Sequence, residues 1–456
     1  MSTKRDLVEA HSFNRRRLVT AFVSGAPGGR EVEPVRHGRT LVGGLVLAVL
    51  MVVGAAVSGQ LKPTVPKDWL ESGMVVGKES GARFVAYKGT LYPVINTASA
   101  RLLVAPEGKL GITFAPDALI AQQPQGPTIG IQGAPDALPA ASNLTQTGWT
   151  ACADQNQDVQ VRLADEPHAR AATGQALVVR AAGEKATFVV AGARRYPVPA
   201  RAASSTLRAL GLDGELVQQV PGTWLDLFPL GSPLKPFDVP GAGSPARGLG
   251  HGLDTVGEPL RVDGRPYVVT RDGVSALDEF SYALYTSDGL GAQLDRGAQL
   301  RNGDLAGVGN ARLGTLPDDW PTTSVRGFAA PTFCALLQTH RGTAATVALA
   351  APTKGDATPA HGVSRGASVE SGHGALVYAL SGGVTSTDGD QSGNSLYLID
   401  STGTRYSVGT KAASRDPQLR LGYAGVTPAA VPDSWMDLFA GGPALTTKAA
   451  NALAAG

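Results

Sequence analysis

The segment Phe84–Val94, FVAYKGTLYPV, carries the pattern that decides the fold of most of this chain. It contains an apolar strand, a Gly-containing turn and a return strand with a tyrosine, which together predict a β-hairpin. The same pattern recurs in three later segments: FVVAGARRYPV at Phe188–Val198, LRVDGRPYVV at Leu260–Val269 and LYLIDSTGTRYSV at Leu396–Val408. The return strands carry Tyr92, Tyr196, Tyr267 and Tyr406. We therefore predict one hairpin unit used four times.

The residues around the hairpins indicate small α+β units. Three hairpins follow a further apolar strand, which predicts three-stranded sheets, and these strands are Gly73–Val76, Ala176–Val179 and Ala375–Tyr378. Helical spacing follows at Ala202–Leu210 and Val274–Tyr285. We expect an elongated α+β domain built from about four repeats around a central β-rich core. The predicted units lie near residues 70–150, 172–235, 255–320 and 370–446.

Two of the units end alike, which indicates related halves. One ending is WLDLF at Trp224–Phe228 with Gly231 after it, and the other is WMDLF at Trp435–Phe439 with Gly441 and Gly442 after it. Bulky aromatic residues at equivalent positions of a repeat are typical of core packing, so we assign the tryptophans and the hairpin tyrosines to the core. Three segments rich in small or polar residues are predicted to be loops: Gln122–Pro135, Pro240–His251 and Thr353–Ser371.

The N-terminal part of the chain predicts one transmembrane helix. Residues 40–61 contain no charged side chain over 22 positions, which as a helix would span roughly 33 Å, about the hydrocarbon thickness of a bilayer. Eight Lys or Arg residues precede this segment against four acidic ones. The positive-inside rule therefore places residues 1–39 in the cytoplasm and residues 62–456 on the exported side. The alternative is a signal peptide cleaved near Ala56–Ser58, but its apolar core would be unusually long and unusually far from the N-terminus.

The arm before this helix contains an arginine cluster. Leu18 and Phe22 are predicted to share one face of a short amphipathic helix, with Arg15, Arg16 and Arg17 opposite. Such a helix would lie on anionic lipid or dock onto a partner. Arg36 and Arg39 stand next to the predicted crossing and are interpreted as topology anchors.

The chain has two cysteines, Cys152 and Cys334, and both fall on the predicted exported side. Disulfides persist in oxidising compartments, so we expect the two to be paired rather than to be unrelated buried thiols. A bond between them would close a loop of about 180 residues and would act mainly on the unfolded state.

No catalytic, metal or cofactor motif emerges from the sequence. Gly-Lys occurs only at Gly77–Lys78 and Gly108–Lys109, and neither has the remaining residues of a phosphate-binding loop. Ser364 fits G-x-S-x-G, but a loop precedes it where a nucleophile elbow needs a buried strand. The seven histidines show no metal-ligand spacing. The acidic pairs Asp278–Glu279 and Asp318–Asp319 are interpreted as solvated charge, and the net charge of +2 argues against nucleic-acid binding.

Taken together, these features resemble the EccB family of actinobacterial type VII (ESX) secretion systems. An N-terminal block with Ser12, Phe13, Arg16 and Arg17 stands before a single predicted span, as in that family. The other matching segments are YPVINTASARLL at Tyr92–Leu103, GIQGAP at Gly130–Pro135, WTAC at Trp149–Cys152, GHGALV at Gly372–Val377 and the closing segment Val431–Leu445. The resemblance covers most of the chain, and the N-T-A-S-A-R-L-L block is its most specific part.

The resemblance implies a structural subunit of a membrane machine rather than an enzyme. Its expected partners are an EccC-like, FtsK-like ATPase, EccD-like and EccE-like membrane subunits and further copies of itself, in a complex that exports small helical proteins. It also implies a disulfide matching Cys152 and Cys334. Two alternatives remain open at this point: a membrane-anchored ATPase of the same system, a label that some family members carry, and a cell-wall-binding module.

Overall fold

A computed structural model describes residues 3–24, 37–60, 65–105, 109–153, 159–250, 252–314, 316–339, 345–353, 366–380, 394–410 and 415–454. The chain divides into two compact units, Met1–Val65 and Pro66–Gly456. We call them the N-terminal unit and the C-terminal body. Ser364 and Arg36, two residues singled out above, lie outside the described residues.

The N-terminal unit contains two helices, α1 (Lys4–Ser24) and α2 (His37–Gln60). The large apolar side chains described in α2, between Leu41 and Val53, are all more than half exposed. Within the described part of the chain, no helix meets the length and hydropathy that a membrane crossing requires. The predicted crossing at residues 40–61 is therefore unconfirmed.

The C-terminal body consists of short strands and short helices. In chain order its strands are β1 (Ser72–Gly77), β2 (Arg83–Tyr87), β3 (Thr90–Pro93), β4 (Ile112–Ala115), β5 (Trp149–Ala153), β6 (Val159–Leu163), β7 (Ala169–Ala171), β8 (Gln175–Ala181), β9 (Thr187–Ala191), β10 (Arg194–Val198), β11 (Gln218–Val220), β12 (Pro259–Val262), β13 (Arg265–Thr270), β14 (Gly273–Ala276), β15 (Ala298–Leu300), β16 (Arg326–Gly327), β17 (Phe333–Gln338), β18 (Thr346–Pro352), β19 (Gly366–Val369), β20 (Ala375–Leu380), β21 (Ser395–Ile399), β22 (Thr404–Thr410), β23 (Ala429–Pro432) and β24 (Ala440–Gly441).

Its helices are α3 (Thr97–Val104), α4 (Asp117–Ile120), α5 (Ala203–Ala209), α6 (Gly222–Leu225), α7 (Glu279–Tyr285), α8 (Gly289–Leu294), α9 (Arg415–Arg420), α10 (Asp433–Met436) and α11 (Thr447–Ala450). Three short 3₁₀ turns accompany them at Ala141–Asn143, Ala200–Ala202 and Asn302–Leu305.

Four sheets share one plan, in which three antiparallel strands are followed by helix and by a fourth strand parallel to the first. Their orders are β3-β2-β1-β4 (sheet 1), β10-β9-β8-β11 with β16 added beside β8 (sheet 2), β14-β13-β12-β15 (sheet 3) and β23-β20-β21-β22-β24 (sheet 4). The fourth strand returns parallel to the first in each. The units are thus larger than the predicted three-stranded sheets.

The third hairpin differs from the other three in its place in the sheet. Leu260–Val269 forms the first and second strands of sheet 3, whereas the other hairpins form the second and third strands of theirs. Its turn, Asp263 at φ 46° and Gly264 at φ 81°, matches Lys88 at φ 48° and Gly89 at φ 82° in sheet 1. Two-residue turns with both φ values positive join any adjacent antiparallel strands, so the sequence pattern could not show which two strands they connect. Tyr267 is therefore not equivalent to the other three tyrosines.

A fifth sheet, the central sheet, has the order β19-β6-β5-β17-β18-β7. It takes strands from three separated stretches of chain, and sheets 2 and 3 are inserted between β7 and β17. Its edge strand β19 lies inside the segment Thr353–Ser371, which was predicted to be a loop. That prediction was wrong for Gly366–Val369, because GASV gains its strand geometry from parallel pairing with β6 rather than from its own composition.

The sheets are joined by shared buried cores. One core joins the central sheet to sheets 2 and 4 and includes Trp149, Trp224 and Trp435. A second joins sheets 2 and 3, with Val178 packed in the same cluster as Leu284 of α7. A third joins sheets 1 and 4. Each repeat therefore buries apolar surface against a neighbour, as stacked repeat units do.

Candidate functional site

The two cysteines singled out in the sequence lie in the middle of the central sheet. Cys152 on β5 and Cys334 on β17 lie directly opposite each other in antiparallel register, with 3.9 Å between their Cα atoms, and are disulfide-bonded. The predicted pairing is thus present. The bond joins residues 182 positions apart, and Cys334 is fully buried.

Three fully buried tryptophans lie in the core on the opposite face of the central sheet from this bond, because Trp149 and Cys152 stand an odd number of positions apart on β5. We call these tryptophans and the two cysteines together the disulfide junction. Trp149 of β5 lies edge-on to Trp435 of α10, with ring centroids 6.3 Å apart. Trp224 of α6 packs against Phe333 of β17 at 4.9 Å and donates a hydrogen bond from Nε1 to the Ala151 carbonyl at 3.0 Å. The endings of sheets 2 and 4 therefore both dock on the central sheet, as expected for tryptophans in the core.

Each of these two endings is also tied to its own hairpin by an ion pair. Arg195 lies 2.5 Å from Asp226 in sheet 2, and Arg405 lies 3.2 Å from Asp437 in sheet 4. Both aspartates occupy the central position of the W-x-D-x-F motif, and both arginines precede a hairpin tyrosine. The aspartate side chains are 59% and 67% exposed, so the pairs orient the motif more than they stabilise it.

The two hairpin tyrosines next to these arginines are buried against glycine. The ring of Tyr196 covers Gly231, and the ring of Tyr406 covers Gly442, leaving no room for a Cβ atom at either glycine. The glycine N–H groups donate to the carbonyls of Arg195 and Arg405, both at 2.8 Å. Burial raises the pKa of each tyrosine to about 12. Tyr92 and Tyr267, in contrast, are partly buried.

The predicted arginine cluster lies on α1, where Arg15, Arg16 and Arg17 are all exposed. Arg15 lines one groove together with Leu18 and Phe22, because residues three and four positions apart return to the same helix face. The prediction that all three arginines oppose the apolar face was therefore wrong for Arg15. Arg39 lies in α2.

The predicted acidic pairs have structural partners. Asp278 caps α7 by accepting a hydrogen bond from the Ser281 N–H at 2.7 Å. Glu279 binds Arg261 at 2.8 Å, and the hydrogen bond from that guanidinium lowers the pKa of the carboxyl. Asp319 accepts from the Ser232 N–H at 2.8 Å. The interpretation as merely solvated charge missed these roles. The partners of Glu279 and Asp319 are distant in sequence, whereas the cap at Asp278 is local and follows the usual preference for aspartate at a helix N-terminus.

Sequence reasoning missed one cluster of metal-ligating side chains. Asp165, Glu370 and His373 converge near the edge of the central sheet, and one ligand atom from each lies within 4.8 Å of the others. The 205 positions between Asp165 and Glu370 leave no local spacing that could reveal the cluster. Glu370 and His373 alone share an i, i+3 spacing, which is too common to indicate a site.

The fold and the disulfide junction define a class of protein: a repeat-built α/β scaffold whose central contacts are apolar, disulfide-bonded or ion-paired. The family model for the type VII secretion system ESX-1, transport TM domain B, matches residues 1–455. A curated relative, the ESX-2 secretion system ATPase EccB2 of Mycobacterium tuberculosis, is 27% identical, covering 98% of this chain and 94% of its own. The ESX-3 secretion system ATPase EccB3 of the same organism is 26% identical, covering 91% of this chain and 83% of its own.

Solved structures show the same fold. A chain of an intact ESX-5 inner membrane complex superposes with a TM-score of 0.64 at 22% identity, covering 100% of this chain and 96% of that one. A chain of the EccB3 dimer from the ESX-3 core complex gives a TM-score of 0.67 at 22% identity, covering 83% of this chain and 100% of that one. The chain therefore belongs to the EccB family, the core membrane components of ESX type VII secretion systems.

Proposed function

We propose that this protein acts as a non-enzymatic scaffold of its secretion machine, holding other membrane subunits in place. The family match over residues 1–455 carries the proposal. The disulfide junction supports it, because its three indole rings are buried in apolar contact and its two cysteines are bonded to each other, and such an arrangement resists deformation. The proposed regions are a cytoplasmic arm at 1–39, an anchor at 40–61 and an exported body at 62–456 with repeats near the ranges given above.

The proposed anchor is α2, with the N-terminus in the cytoplasm and the C-terminal body exported. Exposed apolar side chains from Leu41 to Val53 support it, since a helix that is apolar all round needs an apolar environment. Single cysteines at Ser12 and Lys67, placed in the C152A/C334A background, test the topology. In intact cells an impermeant maleimide should label the cysteine at 67 and leave that at 12 unlabelled. Equal labelling would contradict the topology.

The proposed partners are an EccC-like ATPase, EccD-like and EccE-like subunits and further copies of this chain. The superposed structures are an inner membrane complex and a dimer, which supports assembly of this kind. Affinity isolation from native membranes in mild detergent should recover a large complex containing an FtsK-like ATPase. The charge reversals Arg16→Glu and Arg17→Glu on α1 test docking by the arm and should reduce recovery of that ATPase. Recovery of this chain alone would contradict the proposal.

Relatives are named ATPases, so hydrolysis is the alternative that must be tested. Purified full-length protein should release no phosphate from Mg-ATP above the level of the same reaction without protein. Hydrolysis abolished by a substitution in one defined pocket would overturn the scaffold proposal. Sedimentation with purified peptidoglycan tests the cell-wall alternative, and saturable binding would favour it.

A further inference from the structure

We propose that Asp165, Glu370 and His373 form a binding site for a divalent transition metal, with Zn²⁺ as the fitting ion. The three side chains supply one imidazole nitrogen and two carboxylate oxygens, a ligand set that zinc accepts with a water in the remaining position. The site goes beyond the scaffold function and does not depend on it.

The backbone brings the three residues together through a parallel strand pair. β6 and β19 run side by side, with Leu163 opposite Val369. Both strands therefore end at the same edge of the central sheet, and Asp165 and Glu370 come just beyond these ends. The Glu370 N–H donates to the Leu163 carbonyl at 2.9 Å, which holds the register one residue further.

A turn after Glu370 brings His373 back beside Asp165 and Glu370. The His373 N–H donates to the Glu370 carbonyl at 2.9 Å, so the two side chains stand three residues apart on one turn. The segment before the central sheet holds this turn from its other side, because the Thr145 N–H donates to the Gly374 carbonyl at 2.7 Å. The ligands thus sit on hydrogen-bonded backbone, although two of the side chains are exposed.

The imidazole is oriented as a metal ligand would be. Its Nδ1 lies 3.2 Å from the Ser371 carbonyl oxygen, which can only accept, so Nδ1 carries the proton and donates. The Nε2 atom then points its lone pair at the Asp165 carboxylate, 3.5 Å away. The Nε2 lone pair and the carboxylate oxygen repel each other unless a cation lies between them or the imidazole carries a second proton. A backbone carbonyl on the far nitrogen is the usual outer-shell support of a zinc-bound histidine.

Each carboxylate is also held through one of its oxygens. Glu370 Oε2 accepts from the Asp165 N–H at 3.2 Å, and Asp165 Oδ1 accepts from the Thr145 hydroxyl at 3.3 Å. The other oxygen of each group remains for the ion. Ligand atoms around tetrahedral zinc are about 3.3 Å apart. The ligand atoms of Asp165, Glu370 and His373 lie within 4.8 Å of one another, so they must move closer together to bind the ion. The Asp165 side chain is 72% exposed and can rotate to close this difference.

A metal here would connect the central sheet to sheet 4. Asp165 follows a strand of the central sheet, whereas His373 stands two residues before β20. Bound zinc would therefore resist separation of these two sheets at the surface, beside the disulfide junction that joins them in the interior. Transition metals should bind more tightly than Ca²⁺ or Mg²⁺, because the imidazole favours the softer ions.

The test is zinc titration of the full-length protein in detergent, stripped with a chelator and carrying no polyhistidine tag. We expect one Zn²⁺ per chain in competition with a chromophoric chelator, and a higher thermal midpoint with zinc. His373→Gln and Asp165→Asn should each weaken binding at least about tenfold. Glu166→Gln, which alters the exposed carboxylate next to Asp165, is the matched control and should bind as wild type does.

Three outcomes would overturn the site. They are wild-type zinc affinity in both ligand variants, equal weakening by the Glu166→Gln control, or Ca²⁺ binding as tight as that of Zn²⁺ and indifferent to His373→Gln. Circular dichroism on each variant shows whether it is folded. Asp165→Asn serves as the second variant because that exposed side chain is not needed for packing.

Discussion

Cys152 and Cys334 face each other across adjacent strands at the centre of the C-terminal body, and their bond joins chain segments 182 positions apart. Sheets 2 and 3 lie within the loop that this bond closes. Loss of the bond therefore frees a large part of the body in the unfolded state.

The double variant Cys152→Ala/Cys334→Ala should be less stable by about 3–5 kcal/mol, since a long loop gains much entropy when its crosslink is removed. Alanine is preferred to serine because a hydroxyl at the fully buried Cys334 would lack room for a partner. Denaturant unfolding of the full chain with and without reductant measures the effect. Reductant should leave the double variant unchanged, and equal midpoints for wild type and variant would contradict the prediction.

Trp224→Phe should cost more stability than Trp435→Phe, although both indoles are fully buried. Trp224 Nε1 donates to the Ala151 carbonyl, whereas Trp435 Nε1 has no hydrogen-bond partner among the described residues. Both variants lose similar volume, so the difference reports the hydrogen bond, about 1 kcal/mol. Parallel denaturant titrations provide the comparison. A larger loss at Trp435 would show that the indole nitrogens have other roles.

Gly442→Ala should destabilise the body, whereas Gly441→Ala should have little effect. A Cβ atom at Gly442 would overlap the Tyr406 ring, and one at Gly441 would meet nothing within 4 Å. Overpacking of this kind costs about 1–3 kcal/mol. The adjacent glycine is thus a control for the loss of chain entropy in the unfolded state. Thermal melts distinguish the two variants, and equal midpoints would contradict the packing of Tyr406 on Gly442.

Asp136→Asn should lower stability at neutral pH and lose its effect in acid. The Arg83 guanidinium hydrogen-bonds the Asp136 carboxyl and lowers its pKa from 3.8, and the Thr97 N–H at 3.0 Å adds to this. A lowered pKa means that the stabilisation is complete above the unfolded value and disappears as the pH falls through the folded value. Melting midpoints of wild type and variant should therefore differ at pH 7 and converge as the pH falls below 3.8. The exposed Asp213→Asn variant controls for general charge effects.

The hairpins and the disulfide could be predicted because their signals are local or compositional. Alternating apolar residues around a two-residue turn specify Phe84–Val94 without reference to the rest of the chain, and two cysteines allow only one intramolecular pair. The parallel strands carry no comparable signal. The fourth strand of sheet 2, Gln218–Val220, is three residues long and becomes a strand only because the first strand of that sheet offers unpaired backbone groups.

The same limit applies to helix boundaries and to the metal cluster. The helical spacing seen over Val274–Tyr285 predicted one helix, but its first residues form β14 and Asp278 starts α7 with its side-chain cap. Over a few positions a strand and a helix can show the same apolar spacing, and only the tertiary contacts decide which of the two forms. For Asp165 and His373 the deciding information is the register of β6 against β19, which no sequence motif encodes.

The central sheet takes its strands from separated stretches of the chain, and this limits the order in which the body can fold. A polypeptide that emerges N-terminus first can complete sheets 1, 2 and 3 while the central sheet still waits for β17, which begins at Phe333. Once sheets 2 and 3 have folded, the chain between β7 and β17 is compact. Pairing of β17 with β5 then costs less loop-closure entropy than it would across a flexible loop of the same length. Oxidation of Cys152 with Cys334 can follow only after that arrival, and the bond therefore records the insertion of β17 into the central sheet.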